Sequence, residues 1–498
     1  MIGAARRTLL ALAVAAAFLT APAHLAAQMP EERDWSEALR SDAQALHDML
    51  AEHHPGQVDE QNPDFARNNA EQLALALERA ENADSFGDYY YALRIYVSSF
   101  NDGHLSLGAR GNTPNNFQWP GFAANYDNAG DIRVTFAGER SPAPVNAKLV
   151  SCDGMTASEY AEATKGAMWG QWSLESQRRQ IGKYLFFDES SGYVPTAERC
   201  VFEHSGGRWD VALDWQPITT ERLLEIVRFG QSSRPGFASK STESGLRWFS
   251  MPSFNGDPSS DAAAELNTML AEMRTDRGEL SDAKAVVLDL RGNGGGSSDW
   301  SYQMAKVLWG EAAIAALPKK DHYAQWRVSQ ANLDHLVTTY ERLKEGGEVT
   351  PEIKRYLESA IAGITAGLES GAELWGEPNF DDANADLLDT NSSEPPIEAP
   401  IYVITDGRCM SACLDAMDLW LALGATHVGL PTSADTVYME VRRYTLPTGV
   451  VGGVLPLKVH RGRARGFNEA LIPAHRFNGD MTDNQAVEDW VSQLVLAQ

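Results

Sequence analysis

The sequence predicts an α/β protein (α+β overall), with a strand–helix core preceded by a helical N-terminal unit and a small β module. Three observations predict it. From about residue 245 onward, apolar strand-like runs at 246–250, 285–290 and 401–405 alternate with helical stretches at about 259–276, 298–309 and 411–423. Such alternation favours a sheet with helices on its faces. Between about 116 and 235, short alternating strands are broken by Gly, Pro and Asn. Before residue 100, apolar residues recur at spacings of three and four, the mark of amphipathic helices.

The elements follow in order. Arg6 and Arg7 precede an apolar run from Leu9 to Leu19, and small residues follow at Ala21, Ala23, Ala26 and Ala27. That run is too short to span a bilayer, and residues 1–27 read as a cleaved signal peptide. The mature protein is therefore expected to be periplasmic or secreted. Residues 28–115 form the helical unit: Trp35, Leu39, Ala43, Leu46 and Leu50 line one face of a first helix that Pro55-Gly56 ends, and Asp84 or Ser85 caps a third. His53-His54, closing the first helix, reads as a solvated cap. Residues 116–235 form the β module, in which Lys148–Cys152 runs into Asp153-Gly154 and a helix start near Thr156, a pattern shared with PDZ domains and with generic β modules alike. Residues 236–498 form the α/β core, with a helical insertion at about 312–396 that reads either as a lid or as a plain surface hairpin. Thr350 before Pro351 reads as its N-cap.

Composition excludes some functions. With 68 Asp+Glu against 42 Lys+Arg the net charge is −26, which argues against a nucleic-acid partner. No later stretch is long and apolar enough for stable membrane insertion. Oligomeric state is not legible. The four cysteines fall in two pairs. Cys152 and Cys200 lie in strand-like stretches of one module and are a disulfide candidate in an exported protein. Cys409 and Cys413 have the spacing C-x-x-x-C, not that of a thioredoxin-like motif, and are expected to pack as small apolar side chains. No metal site and no cofactor are indicated. Asp382-Ala383-Asn384-Ala385-Asp386 lacks the glycine and the late glutamate of a calcium loop.

Three segments could carry chemistry: Asn101-Asp102-Gly103-His104, the run from Val287 through Asp289, Arg291 and Asn293 to Gly294-Gly295-Gly296, and the run from Thr405 to Ser411-Ala412-Cys413. Singly, each has a bland explanation: a structural histidine, a tight turn, an N-cap. The glycine loop lacks the P-loop lysine, and the G-x-S-x-G hydrolase elbow is absent. Together they make an acyl-transfer site. A serine at a strand-to-helix turn meets the positive end of the helix dipole. The Ala412 amide can donate to an oxyanion, and glycines bring a second amide, of Gly295 or Gly296, to the same point. A histidine from elsewhere takes the serine proton.

These segments resemble the tail-specific, or C-terminal-processing, serine protease family, including its tricorn-like and interphotoreceptor-retinoid-binding-protein-like relatives. The likeness rests on Asp102-Gly103-His104, on the Leu288–Gly296 run, on Ser411-Ala412-Cys413 opening a helix, and on Glu469-Ala470-Leu471-Ile472-Pro473. It implies an exported serine peptidase acting on peptide or unfolded-protein substrates. A catalytically silent binder of peptides or apolar ligands on the same fold is the alternative. Members with a serine–lysine dyad place the lysine about 25 residues after the serine; here Asp435 stands there, and Lys458 is the only later lysine. The tricorn-like branch instead implies a triad of Ser411, His104 and Glu469, with Asp435 as an alternative orienting acid. His427 and His475 match no catalytic motif.

Overall fold

In a computed structural model the described residues are 33–497, apart from 112–116, 189–191, 195, 230–233, 319–321, 348, 350, 379–394 and 464. The signal-peptide segment, the Thr350 cap and the 382–386 loop lie outside the described residues.

The α/β prediction holds. A six-stranded sheet runs in the order Ala238–Ser241, Leu246–Ser250, Ala285–Asp289, Ile401–Thr405, Thr426–Gly429, His475–Arg476. All pairs after the first, antiparallel one are parallel. Every residue of Ala285–Asp289 and Ile401–Thr405 is buried, as helices on both faces require. One face packs on the helices Asp261–Thr275, Asp299–Trp309 and Ala412–Ala422 through Leu266, Met304, Met417 and Trp420. The other packs on the helix Asn484–Leu496 through Val487 and Val491.

The helical unit holds the helices Trp35–His53, Asp64–Ala80 and Phe86–Ser98. Asp34 and Ser85 cap the first and third by accepting from Glu37 and Asp88 amides. Its core is shared with a second sheet that the sequence does not announce. Leu39, Leu46, Tyr89 and Tyr96 cluster with Val451 and Leu455, which lie on the long strand Val451–Arg461. That strand pairs antiparallel with Ser106–Ala109, Tyr323–Arg327 and Tyr438–Thr445. The segment just after His104 is thus tied to residues more than three hundred positions away.

The insertion is built into this second sheet. Tyr323–Arg327 is one of its strands, and the helices Gln330–Glu345 and Pro351–Ser370 pack on Trp326 and Leu457. In the β module, Phe122–Tyr126, Ile132–Ala137, Lys148–Cys152, Arg199–His204 and Gly207–Ala212 form an antiparallel sheet. Cys152 and Cys200 face each other across neighbouring strands and are bridged.

Cys409 and Cys413 are bridged as well, which corrects the expectation that they pack as free thiols. Cys409 lies in the turn before Ser411 and Cys413 in the first turn of the helix Ala412–Ala422, so the bridge ties the turn to the helix start. His54 is no solvated cap either. It is fully buried, stacked on Phe65, and accepts the Gly56 N–H at 2.9 Å.

Candidate active site

The strand Ile401–Thr405 ends in a turn in which Asp406 Oδ1 accepts the Arg408 N–H at 3.0 Å. Ser411 follows at φ +55° and ψ −129°, a conformation few non-glycine residues adopt, and such strain clusters at functional positions. The helix Ala412–Ala422 starts at the next residue, and the Cys409–Cys413 bridge spans the turn. The Ser411 N–H donates to Asp435 Oδ1 at 3.2 Å. Ala412 occupies the first helical position, where the backbone N–H has no carbonyl partner in its own helix.

The glycine loop presses against this turn. A Cβ on Gly295 would fall 2.7 Å from Met410 O and 2.9 Å from Ala412 N, so only glycine fits. Gly296 has φ +136° and would collide with Phe254 O. The polar residues of the same run serve the scaffold. Arg291 binds the fully buried Asp289 through Nε and Nη2, and its Nη1 donates to Met481 O. Asn293 donates to Met251 O at 2.9 Å and its Oδ1 accepts the Gly295 N–H at 2.8 Å. Of the three predicted oxyanion donors, Gly295 therefore has its amide already engaged, and Gly296 and Ala412 remain.

His104 sits in a tight loop whose conformation Asp102 holds. Asp102 Oδ1 accepts from the His104 N–H at 2.9 Å and from Thr436 Oγ1 at 3.0 Å, while Oδ2 lies 3.7 Å from His54 Nε2. Burial pushes the His54 pKa down, against the opposing pull of Asp102. The Nδ1 of His104 is buried with no hydrogen-bond partner, a vacancy that usually has a reason.

A chain of contacts joins the two candidates. Asn101 O accepts from Asn468 Nδ2 at 2.7 Å, the Asn468 N–H donates to Asp435 O at 2.9 Å, and Asp435 holds the Ser411 amide. The segment around Asn468 is itself anchored to the nucleophile helix: Arg463 pairs with Asp415 at 2.7 Å and Arg465 with Asp418 at 2.8 Å. The roles of Thr436, His54 and Asn468 escaped the sequence reading, because each acts through a partner far away in the chain.

The two candidate acids each have a backbone partner. Glu469 is exposed and its Oε2 accepts the Gly466 N–H at 2.8 Å. Asp435 touches the nucleophile's backbone and not the imidazole, with Oδ2 3.6 Å from Arg465. Lys458 is buried between Glu377 at 3.2 Å and Glu440 at 3.4 Å. Burial alone would lower its pKa, but Tyr356 and the two glutamates hold it well above the ordinary lysine range, which unfits it as a base at neutral pH. His427 is structural: buried in the sheet, it meets Thr405 Oγ1 at 2.6 Å.

Among the described residues no group of three or more His, Cys, Asp or Glu could hold a metal ion, and no helix is long and apolar enough to cross a membrane.

Comparison with known proteins matches this architecture. The fold resembles that of mature CPAF, with a TM-score of 0.57 and 14% identity over 93% of this chain and 97% of that one. Mature CPAF complexed with lactacystin gives a TM-score of 0.56 at 13% identity, covering 93% and 98%. At such identity the likeness is one of fold. No curated protein matches the chain. Residues 248–443 match the model described as Peptidase family S41, a stretch that includes the glycine loop, Ser411 and Asp435. Over those residues, the chain is similar to peptidase family S41.

Proposed function

We propose that the protein is an exported serine peptidase that cleaves peptide bonds through an acyl-enzyme on Ser411. The observation that carries this reading is the strained Ser411 backbone at a helix start, with Gly295 packed against it so closely that no side chain fits. Ser411 Oγ attacks the scissile carbonyl and passes its proton to His104. The Ala412 and Gly296 amides receive the oxyanion. The imidazolium then protonates the leaving amine, and water hydrolyses the ester with His104 again as base.

Glu469 is the third member in this reading. Its carboxylate exchanges the Gly466 amide for the unpartnered Nδ1 of His104, a tightening common when substrate binds. Disulfides at both pairs and the early apolar run support a periplasmic or secreted location. The substrate is a peptide or an unfolded protein. The test is to treat the pure protein with a fluorophosphonate probe and map the adduct. A single adduct on Ser411 is the expected result. An unlabelled protein would favour a silent binder on the same fold.

A further inference from the structure

In a chain of net charge −26, a place where, among the described residues, several cations share one carboxylate needs a reason. One lies beside the Ser411 turn, where the β module meets the parallel-sheet core. Gln180 of the helix Glu175–Gly182 donates to Gly407 O at 2.9 Å. Ser176 of the same helix packs on Gly407 so closely that a Cβ there would lie 2.9 Å from its own. Lys183 is the C-cap of that helix and Arg408 follows Gly407, so both residues lie at this junction. Arg234 joins them. Its Cδ stands 3.2 Å from where a Gly292 Cβ would be, and its Nε is 3.9 Å from Asp406 Oδ2.

The electrostatics are those of crowded like charges. The Lys183 pKa is pushed down by burial and then by Arg408, Arg234 and Arg228. Burial and then Arg234 act on Arg408 in the same sense. Asp406 is the carboxylate facing them, and its oxygens are already shared between Arg234 and backbone amides. Arg408 and Arg234 are exposed, and guanidinium groups so placed suit planar, bidentate anions.

We propose that Lys183, Arg234 and Arg408 form a subsite for a substrate carboxylate, with Arg408 three residues along the chain from the nucleophile. This rests on the peptidase reading for the word substrate, but binding can be measured without turnover. The carboxylate comes either from an acidic side chain or from a free C-terminus, and the experiment separates the two sources. Full-length Ser411→Ala protein is titrated with three labelled peptides of equal length: acidic with an amidated end, neutral with a free end, and neutral with an amidated end.

At least one carboxylate-bearing peptide should bind about tenfold more tightly than the neutral amidated one. The advantage should shrink as salt rises from about 50 mM to about 500 mM. It should fall severalfold in Arg408→Gln and again in Lys183→Gln or Arg234→Gln, each with an unchanged melting temperature. Preference for the acidic amidated peptide assigns the subsite to side chains; preference for the free-ended peptide assigns it to the terminus. Equal binding of all three peptides, or an advantage untouched by all three substitutions, overturns the proposal. Failure of the wild-type protein to label at Ser411 counts against the peptidase reading alone.

Discussion

In the β module a disulfide joins Cys152 to Cys200 across two neighbouring strands, 48 positions apart; in the parallel-sheet core another joins Cys409 to Cys413, four positions apart, over the turn that presents Ser411. The chemistry is the same and the consequence differs. The long loop removes much freedom from the unfolded chain, by about 4 kcal/mol in a chain-entropy account, and the short one by about 2 kcal/mol. The first bond therefore acts chiefly on whether the module is folded. The second encloses a serine whose backbone is strained, so it acts chiefly on where a reactive group points. One region spends its cross-link on stability and the other on geometry.

The largest effect should come from the reacting groups. His104→Ala should lower turnover by about a thousandfold or more, measured on folded protein with a chromogenic peptide. Lys458→Met should leave the rate per folded molecule nearly intact, although it removes the cation facing Glu377 and Glu440. The reverse pattern would move the catalytic base from the loop ahead of Ser106–Ala109 to the neighbouring strand Val451–Arg461.

Next comes the module bond. Cys152→Ala with Cys200→Ala should cost about 4 kcal/mol in denaturant unfolding, with turnover per folded molecule retained. A loss of turnover without a loss of stability would show that the module bond also serves geometry, erasing the contrast.

Acid should act on the core through His427. Burial pushes its pKa down to about 4, below the value of about 6.5 in an unfolded chain. The unfolded state thus binds the proton first, and stability falls as pH drops from about 6.5 to about 4, by roughly 3 kcal/mol in full. Comparing wild type with His427→Gln by denaturant unfolding at both ends of this range isolates the contribution. An identical pH slope in the two proteins would refute it.

Smaller still is the stability effect of the core bond. Cys409→Ala with Cys413→Ala should cost about 2 kcal/mol, while kcat falls about tenfold at unchanged KM because the turn no longer holds its geometry. Unaltered kcat would make this bond a stabiliser like the other. The smallest expected change tests the strain itself. Ser411→Gly should be more stable than Ser411→Ala by about 1 kcal/mol, since glycine enters positive φ without a Cβ penalty. Equal stability would mean that the turn stores no strain.

Much of the core was legible because its signals are local. Fully apolar runs such as Val286–Leu288 and Ile401–Ile404 mark strands covered on both faces, and Ser411 just before a helical stretch marks a strand-to-helix turn. The second sheet was not legible. Its strands Ser106–Ala109, Tyr323–Arg327 and Val451–Arg461 come from three distant parts of the chain, and no single stretch carries their pairing. The same limit applied to His54, which reads as an exposed helix end until Phe65 and Tyr438 close over it.

The sequence by itself determined the types of element, the α/β class and which short runs could carry chemistry, since hydrophobic period and turn residues act within a few positions. Only the tertiary structure decided what each polar residue of those runs does. Asp289, Arg291 and Asn293 spend their hydrogen bonds on the scaffold. Asp435 holds a backbone amide, and Lys458 is locked between two glutamates. Charge and hydrogen-bond capacity are written in the chain, but the partner that consumes them is chosen by folding, because a buried polar group must be satisfied by whatever the packing brings within about 3 Å.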